Sequence, residues 1–375
     1  MDNEFDIIVI GAGMAGASVA AELPADRRVL LLERESQPGY HTTGRSAALY
    51  TIAYGPPVIR ALSRASGQFY HDPQSPYLTH PLLSDRGAVF IAREEQVEEM
   101  NRFLEELRGA VVPLESGKMR QMMPLLREDH AAAGAYDASA SDIDVAALHQ
   151  HYLKSFRASG GQVQTGAEVL GLAQGGNGWQ VETSKGTFTA ATVVNAAGAW
   201  ADEIARQAGL APRGLTPKRR TAMIVPAPDG VSPEPWPMMI DVEEQFYLKP
   251  DAGKLLISPA DETPSSPCDA QPEELDVAIC VDRIERAFDL QVRRIDSKWA
   301  GLRSFFPDGN PLAAYDPAAP GFFWLAGQGG YGIQTAPAMA RAAAALIERK
   351  PLPDDIAGEG VTQAMLAGGL KEVAA

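Results

Sequence analysis

Continuous apolar runs, not alternating ones, open the chain. Asp6 to Ile10 (DIIVI) is a short β-branched run of the kind buried on both faces of a parallel sheet. Three glycines follow, at Gly11, Gly13 and Gly16, and then a small-residue stretch of helical character, ASVAAEL. A second apolar run, Val29 to Leu32, ends in Glu33. Further strand-like stretches are Val163 to Leu172 (VQTGAEVLGL), Thr192 to Trp200 (TVVNAAGAW), an apolar strand ending in a small-residue turn, and Phe322 to Thr335 (FFWLAGQGGYGIQT). The last predicts a strand, a glycine turn and a helix starting near Ile333 and Gln334.

Two stretches break this pattern. Residues 82–138 hold a predicted strand, Ala88 to Ala92, and then an acidic helical run, EEQVEEMNRFLEEL, whose charged face is expected to be solvated. Residues 215–300 predict strands around Thr221 to Val225, Met238 to Asp241, Gln245 to Lys249 and Lys254 to Ser258. The last two read as a hairpin turning at Asp251-Ala252-Gly253. The expected fold is therefore α/β (α+β overall). A Rossmann-like doubly wound domain is assembled from 1–81, 139–214 and 301–375, and a second domain, built on an antiparallel sheet, from 82–138 and 215–300. There is no internal repeat, and the tail after Pro351 is expected to be loosely packed.

Length and charge narrow the function. A chain of 375 residues is too long for one simple core. A net charge of −15 argues against nucleic acid as a partner, because phosphate contacts need a basic face. Two cysteines, Cys268 and Cys280, make no disulfide framework, and no zinc-ligand spacing exists, so no metal is expected. The acidic start leading straight into a strand lacks a signal-peptide pattern, and no apolar run reaches the roughly 20 residues of a membrane span. A cytoplasmic location without a membrane span is the expectation.

The first thirty-five residues carry the sharpest chemistry. Strand, glycine turn, helix, strand and acid is the full context of a dinucleotide fingerprint. Gly11 allows the tight turn, Gly13 lets the backbone approach a pyrophosphate, and Gly16 allows close helix packing. The helix N-terminus offers free N–H groups to phosphate. Glu33 can accept from both ribose hydroxyls and would repel a 2′-phosphate. The glycines alone do not separate FAD from NAD.

The segment after Glu33 makes that separation. It reads RESQPGYHTTGRSAALYTIAYG where a simple NAD domain would move on to another helix. With the later strand-like stretches, it resembles the glycine oxidase/D-amino-acid oxidase family of FAD-dependent enzymes over nearly the whole chain. Within that family the likeness is to bacterial D-arginine and related D-amino-acid dehydrogenases. The resemblance implies FAD bound along Gly11, Gly13, Ala15, Gly16, Glu33 and Arg34, then along Thr42, Thr43, Gly44, Arg45, Ser46, Ala47 and Leu49. It adds Val169 at the adenine, Gly198, Gly301, and the turn Gly329, Gly330, Tyr331, Gly332, Ile333 and Gln334. Some relatives attach the flavin to a cysteine near this turn, and none lies there, so the binding is expected to be noncovalent.

The same resemblance assigns substrate groups. Arg220 and Arg303 are placed against a substrate carboxylate, with Arg219 the neighbour most easily confused with Arg220. Tyr247 and Tyr54 line the pocket, and the Gly330 carbonyl accepts from the substrate amine. Two departures bear on specificity. Leu49 stands where the D-arginine enzymes have a histidine, and Ala88 where they have a glutamate that pairs with a cationic side chain. Glu243, Glu244 and Asp85 are possible substitutes for that acid. The expected activity is oxidative deamination of D-amino acids with neutral or apolar side chains, passing electrons to an unidentified acceptor. Alternatives are a glycine or sarcosine oxidase using oxygen, a 2-hydroxy acid dehydrogenase, and a flavin-binding subunit without turnover.

Overall fold

The computed structural model describes residues 3–176 and 178–370. The outer ends of the expected first domain, residues 1, 2 and 371–375, lie outside the described residues. The first large sheet has a parallel centre in the order Gln162–Gln164, Val29–Leu32, Glu4–Ile10, Gly186–Asn195 and Phe322–Ala326. Leu312–Tyr315 closes the far edge antiparallel. The long strand Gly186–Asn195 changes partner midway. Its first part pairs with the antiparallel hairpin Val169–Gly175 and Gly178–Thr183, and its second with Phe322–Ala326.

Both faces of the parallel centre are covered, which is why its strands read as unbroken apolar runs. Ile7, Val9, Leu31, Val194, Phe323 and Leu325 face one cluster, which includes the helices Met14–Glu22, Val145–Ala158 and Ala336–Ile347. Ile8, Ile10, Leu30, Leu32, Val193 and Trp324 face the other. This is the period-2 alternation of a strand. The C-terminal tail corrects an expectation: Leu352, Ile356, Val361 and Leu366 are buried in the first cluster, so residues 352–366 are packed.

The second large sheet runs Ser297–Phe305, Thr216–Pro226, Lys254–Ser258, Tyr247–Asp251, Met238–Asp241, Ala88–Ala92, Ala133–Asp137 and Val112–Leu114. It is antiparallel except between Met238–Asp241 and Ala88–Ala92. Its first strand crosses the division expected at residue 300. The hairpin pairs Asp251 with Lys254, leaving the two-residue loop Ala252-Gly253. Both loop residues have positive φ, 48° and 77°, as a type I′ turn requires. A small third sheet, Leu49–Tyr50, Ser141–Ile143 and Leu83–Asp85, anchors the end of the HTTGRSAALYT segment. Among the described residues, no helix is long and apolar enough to cross a membrane.

Candidate active site

The glycine turn after the first strand leaves no room for side chains. A Cβ on Gly11, whose φ is +99°, would meet the Ala196 carbonyl oxygen at 2.6 Å. One on Gly16 would meet the Gly11 carbonyl oxygen at 1.8 Å. The Thr43 hydroxyl accepts from the Met14 N–H at 2.9 Å, joining the helix start to the HTTGRSAA segment. Glu33 accepts from the Ala12 and Glu35 N–H groups, each at 2.9 Å. A carboxylate has about four acceptor positions, so capacity for ribose hydroxyls remains. Behind the turn, His149 Nε2 donates to the Ala12 carbonyl at 2.9 Å. Burial holds the His149 imidazole below its ordinary pKa, against that hydrogen bond.

The HTTGRSAA segment is stitched to the second sheet. Thr42 donates to the Leu302 carbonyl at 2.7 Å, and Arg45 to the Ala270 and Ala300 carbonyls, each at 3.0 Å. Arg45 also pairs with Asp269. Trp299 Nε1 returns a bond to the Arg45 carbonyl at 2.9 Å. At the other end, the Arg34 guanidinium lies over the Trp200 ring, 4.3 Å from its centroid.

One cleft runs from Glu33, Val169 and Arg34 to the Gly329-Gly330 turn. Its wall carries the expected cofactor residues Gly11, Gly13, Ala15, Glu33, Arg34, Thr42, Thr43, Arg45, Ser46, Ala47, Val169, Gly198, Gly301, Gly329, Gly330, Gly332 and Ile333. Five expected residues are not on this wall. Gly16 lies in the first turn of the helix Met14–Glu22, packed against the Gly11 carbonyl, and Gly44 closes a turn by donating to the Gly39 carbonyl at 2.8 Å. Tyr331 packs against the rings of Tyr54 and Phe305 at 5.0 and 6.3 Å. Leu49 and Gln334 line an adjoining cavity instead, with the Gln334 amide donating to Ser63 Oγ at 3.0 Å. The helix expected near Ile333 starts at Ala336, after a turn closed by Thr335 and Ala336 N–H groups.

Cleft and cavity share a wall that includes Arg220, Tyr247, Arg303 and Gly330, with Tyr54 on the cavity side. Strand register explains the two arginines. Lys218 pairs with Arg303 and Arg220 with Gly301, so Arg220 and Arg303 are diagonal neighbours on one face. Arg219 points to the opposite face, where Glu273 and Asp276 bind it, with Asp276 accepting at 3.0 and 3.2 Å. Arg220 Nη2 donates to Glu262 at 3.1 Å, while its buried Nε has no protein partner among the described residues. A Cβ on Gly330 would come within 2.8 Å of Arg303 Nη1, so only glycine lets that guanidinium lie against the turn. Burial works against the Arg303 charge, but Tyr54, Tyr247 and Glu244 outweigh it and hold its pKa above the ordinary value.

Apolar side chains supply much of the cavity, among them Met238, Ile240, Phe246 and Leu49. Ala88 is fully buried in its strand and reaches neither wall. Of the three candidate acids, Glu244 lies on the cavity wall, accepting from the Tyr54 hydroxyl at 3.1 Å. Glu243 is bonded to Gln96 and Gln245, and Asp85 is exposed. Burial, then Glu244, pushes the Tyr54 phenol up, and Tyr331 is pushed up to about 12 by the same causes. Both stay protonated at ordinary pH. Sequence reasoning missed His149 and Glu262, which sit in unremarkable local contexts.

The family model of FAD-dependent oxidoreductases designated DAO matches residues 6–346. Glycine oxidase of Geobacillus kaustophilus is 25% identical over 97% of this chain and 98% of its own length. The crystal structure of glycine oxidase from that organism superposes with a TM-score of 0.81 at 24% identity, covering 93% of this chain and 95% of that one. An L-2-hydroxyglutarate dehydrogenase of Escherichia coli is 26% identical over 56% of this chain and 51% of its own. L-α-glycerophosphate oxidase of Mycoplasma pneumoniae, solved with FAD bound, has a TM-score of 0.82 at 17% identity, covering 92% and 95%. The residues here fit such a group. The glycine turn leaves N–H groups at a helix start, Glu33 keeps acceptor capacity, and a Cβ on Gly198 would meet no protein atom within 4 Å.

Proposed function

The chain belongs to the DAO family of FAD-dependent oxidoreductases, and we propose that it oxidises D-amino acids with neutral or apolar side chains to the imino acid, which water hydrolyses to the 2-oxo acid and ammonia. One observation carries the proposal: two arginines, diagonal neighbours on one strand face, stand on the wall that the cofactor cleft shares with the adjoining cavity. When bound, noncovalent FAD supplies the capacity to accept a hydride equivalent from the substrate Cα. The protein's part is to bind and orient.

Arg303 and the unpartnered Nε of Arg220 grip the carboxylate, the match for which a planar fork is built. The Gly330 carbonyl accepts from the amine. Tyr247 and Tyr54 form walls, and the apolar side chains around them favour a neutral substrate side chain. Neither raised tyrosine can act as a base near neutral pH, and Glu244 is engaged by Tyr54. The amine proton therefore leaves to solvent before oxidation, and positioning supplies most of the rate.

An anaerobic screen of D- and L-amino acids for bleaching of the oxidised flavin band tests the proposal, with ammonia measured in the product. Bleaching by L-forms alone, or by no amino acid, overturns it. Two relatives supply second readings. The glycine oxidase favours oxygen as acceptor, which would give rapid reoxidation with peroxide. The L-2-hydroxyglutarate dehydrogenase favours a 2-hydroxy acid, which would bleach the flavin without ammonia.

A further inference from the structure

Four residues of the cleft wall carry a buried polar side-chain atom with no hydrogen-bond partner in the protein among the described residues, His41, Arg220, Ser304 and Gln328, and two of them, Ser304 (Oγ) and Gln328 (Nε2), lie beside the Gly329-Gly330 turn. Ser304 is 7% exposed. Buried polar atoms are satisfied in the great majority of cases, and leaving one unpaired is costly. The two positions are held together by backbone, because the Gly329 N–H donates to the Ser304 carbonyl at 2.9 Å. Both therefore belong to one corner, where the end of the strand Ser297–Phe305 meets the glycine turn. That turn is fixed from below. A Cβ on Gly327 would meet the Phe306 ring at 2.3 Å, and one on Gly329 the Phe305 ring at 2.3 Å.

The location in the cleft gives these atoms a partner. The dinucleotide turn and Glu33 set the nucleotide end, so the opposite end takes the redox ring. Ser304 and Gln328 lie at that opposite end, next in sequence to Arg303 and two residues before Gly330, which both face the substrate cavity. A hydroxyl donates or accepts and an amide nitrogen donates. The flavin ring presents carbonyl and ring-nitrogen acceptors along its pyrimidine edge, and that edge gains negative charge on reduction. We propose that Ser304 and Gln328 are cofactor-binding residues that donate to this edge, holding the ring and favouring its reduced form. The assignment is independent of which substrate the enzyme uses.

Ser304→Ala, Ser304→Thr and Gln328→Leu are compared with the native holoenzyme. FAD release on dilution is read by flavin fluorescence, and the visible spectrum and midpoint potential by spectroelectrochemistry. Ser304→Ala and Gln328→Leu are each expected to raise the FAD dissociation constant roughly tenfold, as loss of one buried hydrogen bond does. Each should also shift the flavin band and make the potential more negative. Ser304→Thr keeps the hydroxyl and should stay near native. Native affinity, spectrum and potential in both Ser304→Ala and Gln328→Leu would overturn the proposal. So would a Ser304→Thr variant worse than Ser304→Ala, because that order reports side-chain volume and not hydrogen bonding.

Discussion

Arg220 shares its Nη2 with Glu262, whereas Arg303 has no carboxylate within ion-pair distance among the described residues. The two clamps are therefore unequal. Arg303→Ala should raise KM at least a hundredfold, on the order of 3 kcal/mol, the usual cost of truncating one side of a buried charge pair. Arg220→Ala should cost less, nearer tenfold, because Glu262 keeps Lys218 at 2.7 Å and no charge is stranded. Steady-state kinetics checks the order, and an unchanged flavin spectrum checks that FAD stays bound. His149 carries a pH dependence. Its folded pKa is depressed by burial, so the unfolded chain takes up the proton first. Its contribution is complete above the unfolded value of about 6.5 and is lost as pH falls. Stability should therefore fall as pH drops below about 6.5, and His149→Gln should flatten that fall in the melting temperature. Arg220 and Arg303 were singled out by the family resemblance of the stretches around them, and the strand register sets both on one face. His149 and Glu262 were not legible, since their partners lie 137 and 42 positions away and only the fold brings them close.

Elements were legible where local physics decides them. The hairpin turn was one, because a two-residue loop between alternating strands needs left-handed residues and Gly253 supplies one. Ala252 occupies the other at φ 48°, where alanine is strained and asparagine is not. Ala252→Asn should stabilise the protein by about 0.5–1 kcal/mol, read as a higher midpoint in chemical denaturation. The first helix makes the opposite case. A Cβ at position 16 would lie 1.8 Å from backbone oxygen, so Gly16→Ala must displace the turn itself. That variant should lose FAD even where it folds, and one that purified with full flavin content would break the account. The strand Thr216–Pro226 was predicted too short, as Thr221 to Val225, because its first part reads PKRR. Those residues are strand because Ser297–Phe305 pairs with them, a non-local cause that no window of sequence displays.

At the scale of the molecule, one chain crosses between two large sheets and returns, and the cleft lies where segments distant in sequence meet. The doubly wound half announced itself through unbroken apolar runs. The tail did not, because its apolar residues are spaced among polar ones and its short helices, Asp354–Gly358 and Gln363–Leu366, have little periodicity to read. Yet Leu352, Ile356, Val361 and Leu366 fill the cluster that also buries the helix Ala336–Ile347. Arg341 on that helix binds Asp355 at 2.6 Å, and Arg64 binds Glu359 at 2.6 Å, tying the tail to two helices. Burial of each such apolar side chain contributes about 1.5–3 kcal/mol. Four of them rival the whole net stability of a typical domain, about 5–15 kcal/mol. Ending the chain after Lys350 should therefore leave an aggregating or partly unfolded product. Ile356→Ala and Leu366→Ala should each cost about 2–5 kcal/mol in denaturant unfolding. Because the helix Ala336–Ile347 contributes Ala336, Met339 and Ala340 to the cleft wall, flavin content should fall along with stability in each of these variants. A truncated chain with native melting temperature and full flavin would show that the cleft does not depend on this packing.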